Sequence, residues 1–349
     1  MSFFKKNTDN TKTTATKKSN EKPLIFTMLG PSGSGKTSML ACMNRTFENV
    51  LSGTFYPDRR TLGVLDDAYE DLQRESNSEK IQFDVHTLKG TEEISTFDFK
   101  IVGNKSTMPV RFYDFPGGYI ERSANQSDYD EIVRIVKQSA AIIVAVDMPY
   151  LMEPENDRGK YIRQACIRDV ELVIKDAIAD SDNQDRLILL VPIKCEKYMS
   201  DHDSRWALKQ AVKYAFSDTI NMGRETYKDR IAIAIVPINT IGNVKFSRFK
   251  TAGERVTEQV FMKLKGRKFN PQYTDQPLRF AMSFLFEQFK KQREHSKTFW
   301  NRILDWVCVW DWEFFSPDNM PKIENFVRQG INVNDDRLEI ICGRKLMGV

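Results

Sequence analysis

Eight consecutive residues, Gly30-Pro31-Ser32-Gly33-Ser34-Gly35-Lys36-Thr37, fit the pattern G-x-x-x-x-G-K-[ST]. The glycines let the backbone curl until successive N–H groups point inward at an anion. An apolar run with strand character, Leu24-Ile25-Phe26-Thr27-Met28-Leu29, precedes the loop. A helix start, Ser38-Met39-Leu40-Ala41-Cys42-Met43, follows it and adds the positive end of its dipole. Strand, glycine loop and helix are the context in which this Walker A pattern holds a nucleoside triphosphate. Lys36 then reaches the β and γ phosphates, and the Thr37 hydroxyl ligates Mg²⁺. A loop that merely turns the chain does not need Lys36-Thr37. The candidate nucleotide-binding residues here are Gly30, Pro31, Ser32, Gly33, Ser34, Gly35, Lys36, Thr37 and Ser38.

A second constellation is Arg111-Phe112-Tyr113-Asp114-Phe115-Pro116-Gly117-Gly118. Asp114 falls at the carboxyl end of a strand, where open α/β sheets place their ligands. A carboxylate there can hold Mg²⁺ through water. In D-x-x-G, the Gly117 N–H can meet a γ phosphate and the glycine can act as a hinge. A plain turn is the competing reading of these residue types; the loop around Lys36 tips the balance toward phosphate chemistry.

A third element, Val191-Pro192-Ile193-Lys194-Cys195-Glu196, follows another apolar strand. With it the chain resembles the TRAFAC class of P-loop GTPases, whose base-reading motif is [NT]-K-x-D in that place. The resemblance spans roughly Lys22 to Lys290 and implies GTP rather than ATP as ligand. Lys194 would lay its stem along the base. Glu196 would accept from the guanine N1–H and exocyclic amine, a two-donor edge that adenine lacks. Two departures stand out: Ile193 replaces Asn or Thr, and Glu196 is one methylene longer than Asp. Pro237-Ile238-Asn239-Thr240 occupies the place of the class's small base-contacting loop, making Asn239 and Thr240 candidate base contacts. A switch threonine that ligates Mg²⁺ belongs just before the second strand; Thr91 is the first choice and Thr87 the alternative. The expected metal set is therefore Thr37, Asp114 and Thr91, and the catalytic set Lys36, Asp114, Gly117 and Thr91. The I-K-C-E variant, the long first switch and the D-x-P-G-G loop look most like bacterial double-GTPase members. These often accompany other proteins as switches, so a protein partner or effector is expected.

The implied activity is Mg²⁺-dependent hydrolysis of GTP to GDP and phosphate, timing a molecular switch. Such chemistry needs charge neutralisation and an oriented water more than covalent catalysis. The residue after D-x-x-G, where many relatives carry a water-orienting glutamine, is Gly118. Slow intrinsic turnover follows, and a nucleotide-gated interaction module with little hydrolysis is the alternative. A P-loop ATPase of other specificity is a third reading. Arg59, Arg60 and Arg122 are candidate transition-state cations, although solvated arginines are the commoner case.

The elements that must hold these residues are legible as an alternation. Phe97–Val102 and Pro109–Tyr113 read as strands joined by a turn at Gly103-Asn104-Lys105-Ser106. Ala140–Val146, Leu187–Val191 and Ile231–Val236 are continuous apolar runs of the kind buried in parallel sheets. Helical periodicity covers Tyr129–Gln138, Tyr161–Ala179, Trp206–Phe216 and Leu278–Phe289. Asn44–Glu93, by contrast, reads as one long connection. The expected fold is an α/β P-loop NTPase three-layer sandwich: a mostly parallel sheet, one antiparallel edge strand, helices on both faces.

The net charge of +4 is not a nucleic-acid signal. It resides in Met1–Lys22, where six lysines face Asp9 and Glu21, and the body has no basic excess. The polar, lysine-rich stretch 1–21 reads as a disordered tail, residues 22–292 as the GTPase domain with its long switch insertion, and 293–349 as an appendage. Four of the five tryptophans lie in Trp300–Trp312, and Phe299, Ile303, Trp306 and Trp310 share a helix face. That stripe reads first as packing, then as a partner surface. Five scattered cysteines in no C-x-x-C pair argue for a reducing compartment and against zinc. No apolar run reaches the ~18 residues of a membrane span. A cytoplasmic protein is expected.

Overall fold

Three of the apolar runs become strands buried on both faces, and this fixes the middle of the molecule. The structure, a computed structural model, describes residues 22–51, 53–85, 93–120, 125–153, 163–179, 184–252, 256–294, 318–331 and 334–348. Strand β1 (Leu24–Leu29) leads through the glycine loop into α1 (Lys36–Val50). A short β2 (Phe55–Pro57), α2 (Arg59–Asn77) and β3 (Gln82–Phe83) follow. The hairpin β4 (Ser95–Val102) and β5 (Thr107–Asp114) comes next, then α3 (Gly117–Ile120), α4 (Gln126–Lys137), β6 (Ala141–Asp147) and α5 (Met148–Met152). Helix α6 (Ile167–Ala179), β7 (Arg186–Ile193), α7 (His202–Ala215), α8 (Ser217–Asn221) and β8 (Ile231–Ile235) continue the alternation. Hairpin β9 (Val244–Ala252) and β10 (Val256–Lys263) leads to α9 (Gln276–Glu294), α10 (Pro321–Gly330), β11 (Glu339–Cys342) and α11 (Arg344–Met347).

The main sheet has the order β11-β8-β7-β6-β1-β5-β4-β2. Strands β8, β7, β6, β1 and β5 are parallel. The expected antiparallel edge is present as β4 on β5, and β2 extends it antiparallel. On the opposite edge β11 runs antiparallel to β8. Alternation along the strands sorts the two faces. Phe26, Met28, Ile143, Leu189 and Ala234 join one core with residues of α1, α9 and α10, whereas Ile142, Val144, Ile188, Leu190 and Ile233 join the other with α4, α6 and α7. Burying an aliphatic side chain contributes roughly 1.5–3 kcal/mol, so these two layers hold the strand ends that carry the site.

Four expectations change. The connection from Asn44 to Glu93 is largely helical among its described residues. Helix α1 runs on to Val50, and α2 is capped by the Asp58 side chain, which accepts from the Thr61 N–H at 2.7 Å. Its buried positions Thr61, Leu65, Leu72 and Ser76 keep a helical period, but the charged residues between them hide it in the sequence. The helix expected from Tyr161 is α6, which begins at Ile167 after Cys166 at φ 51°. The stretch after β8 supplies two strands of a second sheet of order β3-β10-β9 that the periodicity did not reveal. A register shift at Val260/Phe261 breaks the alternation there. Finally, part of the expected C-terminal appendage is built into the main fold, since β11 pairs with β8 while Phe326, Leu346 and Met347 join the α1 face of the core. The 1–21 tail and the tryptophan stripe of 299–315 lie outside the described residues.

Candidate functional site

The carboxyl ends of β1, β5, β6 and β7 converge on one cleft. It is walled by the glycine loop, Asp114, Gly117, Lys194, Glu196 and Thr240, and by the apolar side chains of Leu72, Phe83, Val85, Val244 and Phe261. The space it encloses, with the solvent at its mouth, is about 890 Å³.

At one end the backbone does most of the shaping. Gly30, Gly33 and Gly35 have φ of 146°, 66° and 103°, a region that L side chains rarely enter. Gly35 begins α1 with no side-chain cap and no acidic residue in the first turn. Helices α2, α4 and α7 differ: Asp58, Asn125 and Asp201 each close their N-termini. The first turn of α1 therefore lines the cleft with no capping side chain and no acidic residue to offset its dipole. Ser34 Oγ is buried there without a hydrogen-bond partner. Both features suit an anion.

Lys36 is nearly enclosed. Its Nζ donates to the carbonyls of Gly30 at 3.1 Å and Pro31 at 3.2 Å and lies 3.8 Å from Asp114 Oδ1. Burial draws its ammonium below the usual lysine range, and Asp114 acts against that shift. Thr37 Oγ1 donates to Asp114 Oδ2 at 2.6 Å. One hydroxyl and one carboxylate, both hard oxygen donors side by side, fit Mg²⁺, which commonly takes one or two protein ligands and completes its shell with phosphate and water. Among the described residues no group of three or more His, Cys, Asp or Glu could hold a metal. Gly117 abuts the glycine loop; a Cβ there would fall 1.8 Å from the Ser32 nitrogen. Gly118 beside it faces open space.

The other end is built from side chains of distant elements. Lys194 takes φ 54°, and its Nζ donates to the Gly33 carbonyl at 2.9 Å, to Asp147 Oδ2 at 2.6 Å and to Gln259 Oε1 at 2.8 Å. Glu196 Oε1 accepts from the N–H groups of Ile241 and Gly242, each at 3.3 Å. Burial raises its carboxyl above the ordinary range, and the backbone donors pull it back in part. The neighbouring Cys195 is inert for the same reason, burial holding its thiol well up.

Of the sequence candidates, Ser32 through Ser38, Asp114, Gly117, Lys194, Glu196 and Thr240 all line the cleft. Gly30 and Pro31 serve through their carbonyls on Lys36. Asn239 turns elsewhere: its N–H and side-chain amide pair with Gln272, and it is not part of the lining. Thr91, Thr87 and Arg122 fall outside the described residues, and Arg59 and Arg60 are exposed at the start of α2. Sequence reading missed Asp147 and Gln259. Asp147 ends β6, so the strand-end rule that found Asp114 also points to it. Gln259 carried no signal, because its hairpin was unrecognised.

A family model described as Double-GTPase 2 matches residues 25–233. No curated protein matches the chain. Among solved structures, Roco2 RocCORdC of Methanosarcina barkeri bound to GDP is similar at 11% identity, covering 64% of this chain and 46% of that one, with a TM-score of 0.26. The Ski7 GTPase-like domain of S. cerevisiae bound to GTP is similar at 10% identity, covering 63% and 43%, with a TM-score of 0.33. The chain thus spans less than half the length of these solved chains.

Proposed function

The chain belongs to the Double-GTPase 2 family, and from that premise we propose that it binds GTP with Mg²⁺, hydrolyses it slowly to GDP and phosphate, and works as a nucleotide-dependent switch in the cytoplasm. The observation that carries the reading is the uncapped N-terminus of α1 facing the same space as Lys36, Thr37 and Asp114. There the loop amides and the Lys36 ammonium take up phosphate charge. Thr37 and Asp114 would hold the metal, with Thr91 the proposed third ligand. Mg²⁺, when bound, supplies further neutralisation of the charge that develops on the phosphate oxygens. Gly117 packs against Ser32 of the glycine loop, and its N–H is the proposed donor to a γ phosphate.

At the other end, the aliphatic stem of Lys194 offers a surface to the base. Glu196 lines the cleft with one oxygen committed to the loop at Ile241–Gly242. Slow turnover is supported by Gly118, which has no side chain with which to orient water. The same observation favours the second reading, a nucleotide-gated binding module with a protein effector and little hydrolysis.

Calorimetric titration with GTP, GDP and ATP, with phosphate release followed on the same protein, tests this. Wild type should bind both guanine nucleotides in preference to ATP, and Lys36→Ala should lose tight triphosphate binding while keeping its circular dichroism. Equal affinities of the variant and wild type would remove the site assignment. Equal affinities for ATP and GTP would leave a general P-loop NTPase.

A further inference from the structure

The β9–β10 hairpin begins beyond residue 233, where the family match ends, yet it reaches the nucleotide cleft. Val244 and Phe261 line the cleft from this hairpin. The Lys194 Nζ lies 6.0 Å from the Phe261 ring centroid, within reach of a cation–π attraction. Between the hairpin and the main sheet sits Gln259, 8% exposed. Its Oε1 accepts from Lys194 Nζ at 2.8 Å and its Nε2 donates to Asp147 Oδ1 at 2.7 Å. The other oxygen of Asp147, itself 3% exposed, accepts from the same Nζ at 2.6 Å. The third donor contact of Nζ goes to the carbonyl of Gly33 in the phosphate-binding loop. All three ammonium hydrogens are thereby assigned, and both ends of the glutamine amide are used.

Lys194 also holds a left-handed backbone conformation that a lysine does not choose freely. Such a conformation persists where its surroundings over-determine it. Here the surroundings are a closed ring of two buried polar side chains and one carbonyl.

Resting on the guanine-nucleotide reading above, we propose that Gln259 and Asp147 are a positioning pair for Lys194, through which the β9–β10 hairpin becomes part of the base-binding end of the site. The pair holds the Lys194 stem at a fixed height over the glycine loop, so that a base entering the cleft meets a preformed surface. Neither residue is part of the cleft lining that Ser32 to Ser38 form. Loss of the pair should therefore weaken recognition of the base and leave the phosphate end intact.

The test uses the full chain, GDP for base plus phosphate, and inorganic tripolyphosphate for phosphate alone, both by calorimetry. Gln259→Leu keeps the volume and removes both hydrogen bonds. It should weaken GDP by roughly tenfold or more, the size expected when a bond to a charged group is lost, with tripolyphosphate affinity unchanged. Gln259→Glu alone places two carboxylates together and should also weaken GDP. Asp147→Asn added to Gln259→Glu restores one carboxylate and one amide with their roles exchanged, and should recover most of the affinity. A merely structural role would lower tripolyphosphate binding along with GDP and would show no rescue. That pattern overturns the proposal, as does wild-type GDP affinity in Gln259→Leu. If Gln259→Leu does not fold, the rescue by the paired variant decides alone. Lys36→Ala separates the two readings: if it retains full affinity for GTP, the underlying site assignment fails, whereas its loss beside an unaffected Gln259→Leu leaves that assignment standing and removes only the positioning pair.

Discussion

The two ends of the cleft are made differently. At the end proposed for phosphate, three glycines with positive φ, the uncapped start of α1 and the carbonyls of Gly30 and Pro31 do the shaping, all within one short segment. At the end proposed for the base, β6 sends Asp147, the segment after β7 sends Lys194 and Glu196, the loop after β8 offers its backbone N–H groups to Glu196, and a hairpin from a second sheet sends Gln259. Phosphate is small, charged and symmetric, so a curled backbone of fixed pattern suffices for it. A base is planar and distinguished by its edge, so it can be met by several side-chain arrangements. On the proposed assignment, the phosphate end can therefore keep its pattern intact while the base end carries Ile193 and Glu196 in unusual places and draws on a hairpin to hold Lys194.

If the contrast is right, the largest effect of a single methyl group belongs to the phosphate end. In Gly117→Ala the new Cβ would fall 1.8 Å from Ser32 N and 2.5 Å from the Pro31 carbonyl carbon. Both are backbone atoms of the loop and cannot swing aside. Either the loop or the segment after Asp114 must move, and a displacement of about 1 Å in a site of this kind costs on the order of a hundredfold in rate. We expect GTP turnover, followed as phosphate release, to fall by at least about that factor. Turnover near that of wild type would mean the loop is not rigid, and the contrast between the two ends would collapse.

The base end should respond in specificity rather than in turnover, and its response should depend on pH. Glu196→Gln keeps an oxygen that can accept from Ile241 and Gly242 but removes the charge. Guanine preference over ATP should drop by roughly 1.5–3 kcal/mol if the carboxylate reads the base edge. Stability should move the other way. Burial raises the Glu196 carboxyl above its ordinary value of 4.5. A raised folded-state value means that stability is fully present below the unfolded value and is lost as pH rises through the folded one. From about pH 4.5 upward, wild type should therefore lose thermal stability relative to Glu196→Gln. Parallel melting curves for the two proteins across pH 5–8 would show that the backbone donors fully offset burial. An unchanged GTP-to-ATP ratio would make Glu196 a loop anchor only.

Legibility in the sequence follows the same division. The glycine loop, Asp114 and Gly117 could be read because each depends on residues adjacent in the chain. The parallel strands could be read because burial on both faces demands unbroken apolar runs, as in Ala141–Asp147 and Arg186–Ile193. Helix α2 escaped because its apolar positions are thinly spaced among charges, although Asp58 before Arg59 was a capping signal within reach. The β9–β10 hairpin escaped because its register shift breaks the alternation. With it went Gln259, whose role depends on meeting Asp147 across 112 positions of sequence. The placement of β11 against β8 was equally hidden, since an edge pairing leaves no mark on either strand's own period.

The smallest structural effect, and the sharpest test of how the two ends divide their labour, is expected one residue beyond Gly117. A Cβ at Gly118 would meet nothing within 4 Å, and its backbone is not among those with positive φ. Gly118→Gln should fold as wild type, with stability within about 0.5 kcal/mol, the usual range for an exposed substitution free of special contacts. Binding of GTP and GDP should also be unchanged, because neither the loop amides nor the base end is touched. Turnover is the quantity expected to move. Adding an amide that can accept from and donate to a water supplies an orienting group where Gly118 has no side chain, and a positioned polar group of this kind is worth about 10²–10⁴-fold when fully engaged. A partial gain, measured as single-turnover phosphate release from preloaded GTP, supports slow hydrolysis limited by an unoriented water. No gain, with GTP still tightly bound, would shift the reading to a nucleotide-gated module whose hydrolysis awaits a group from another protein.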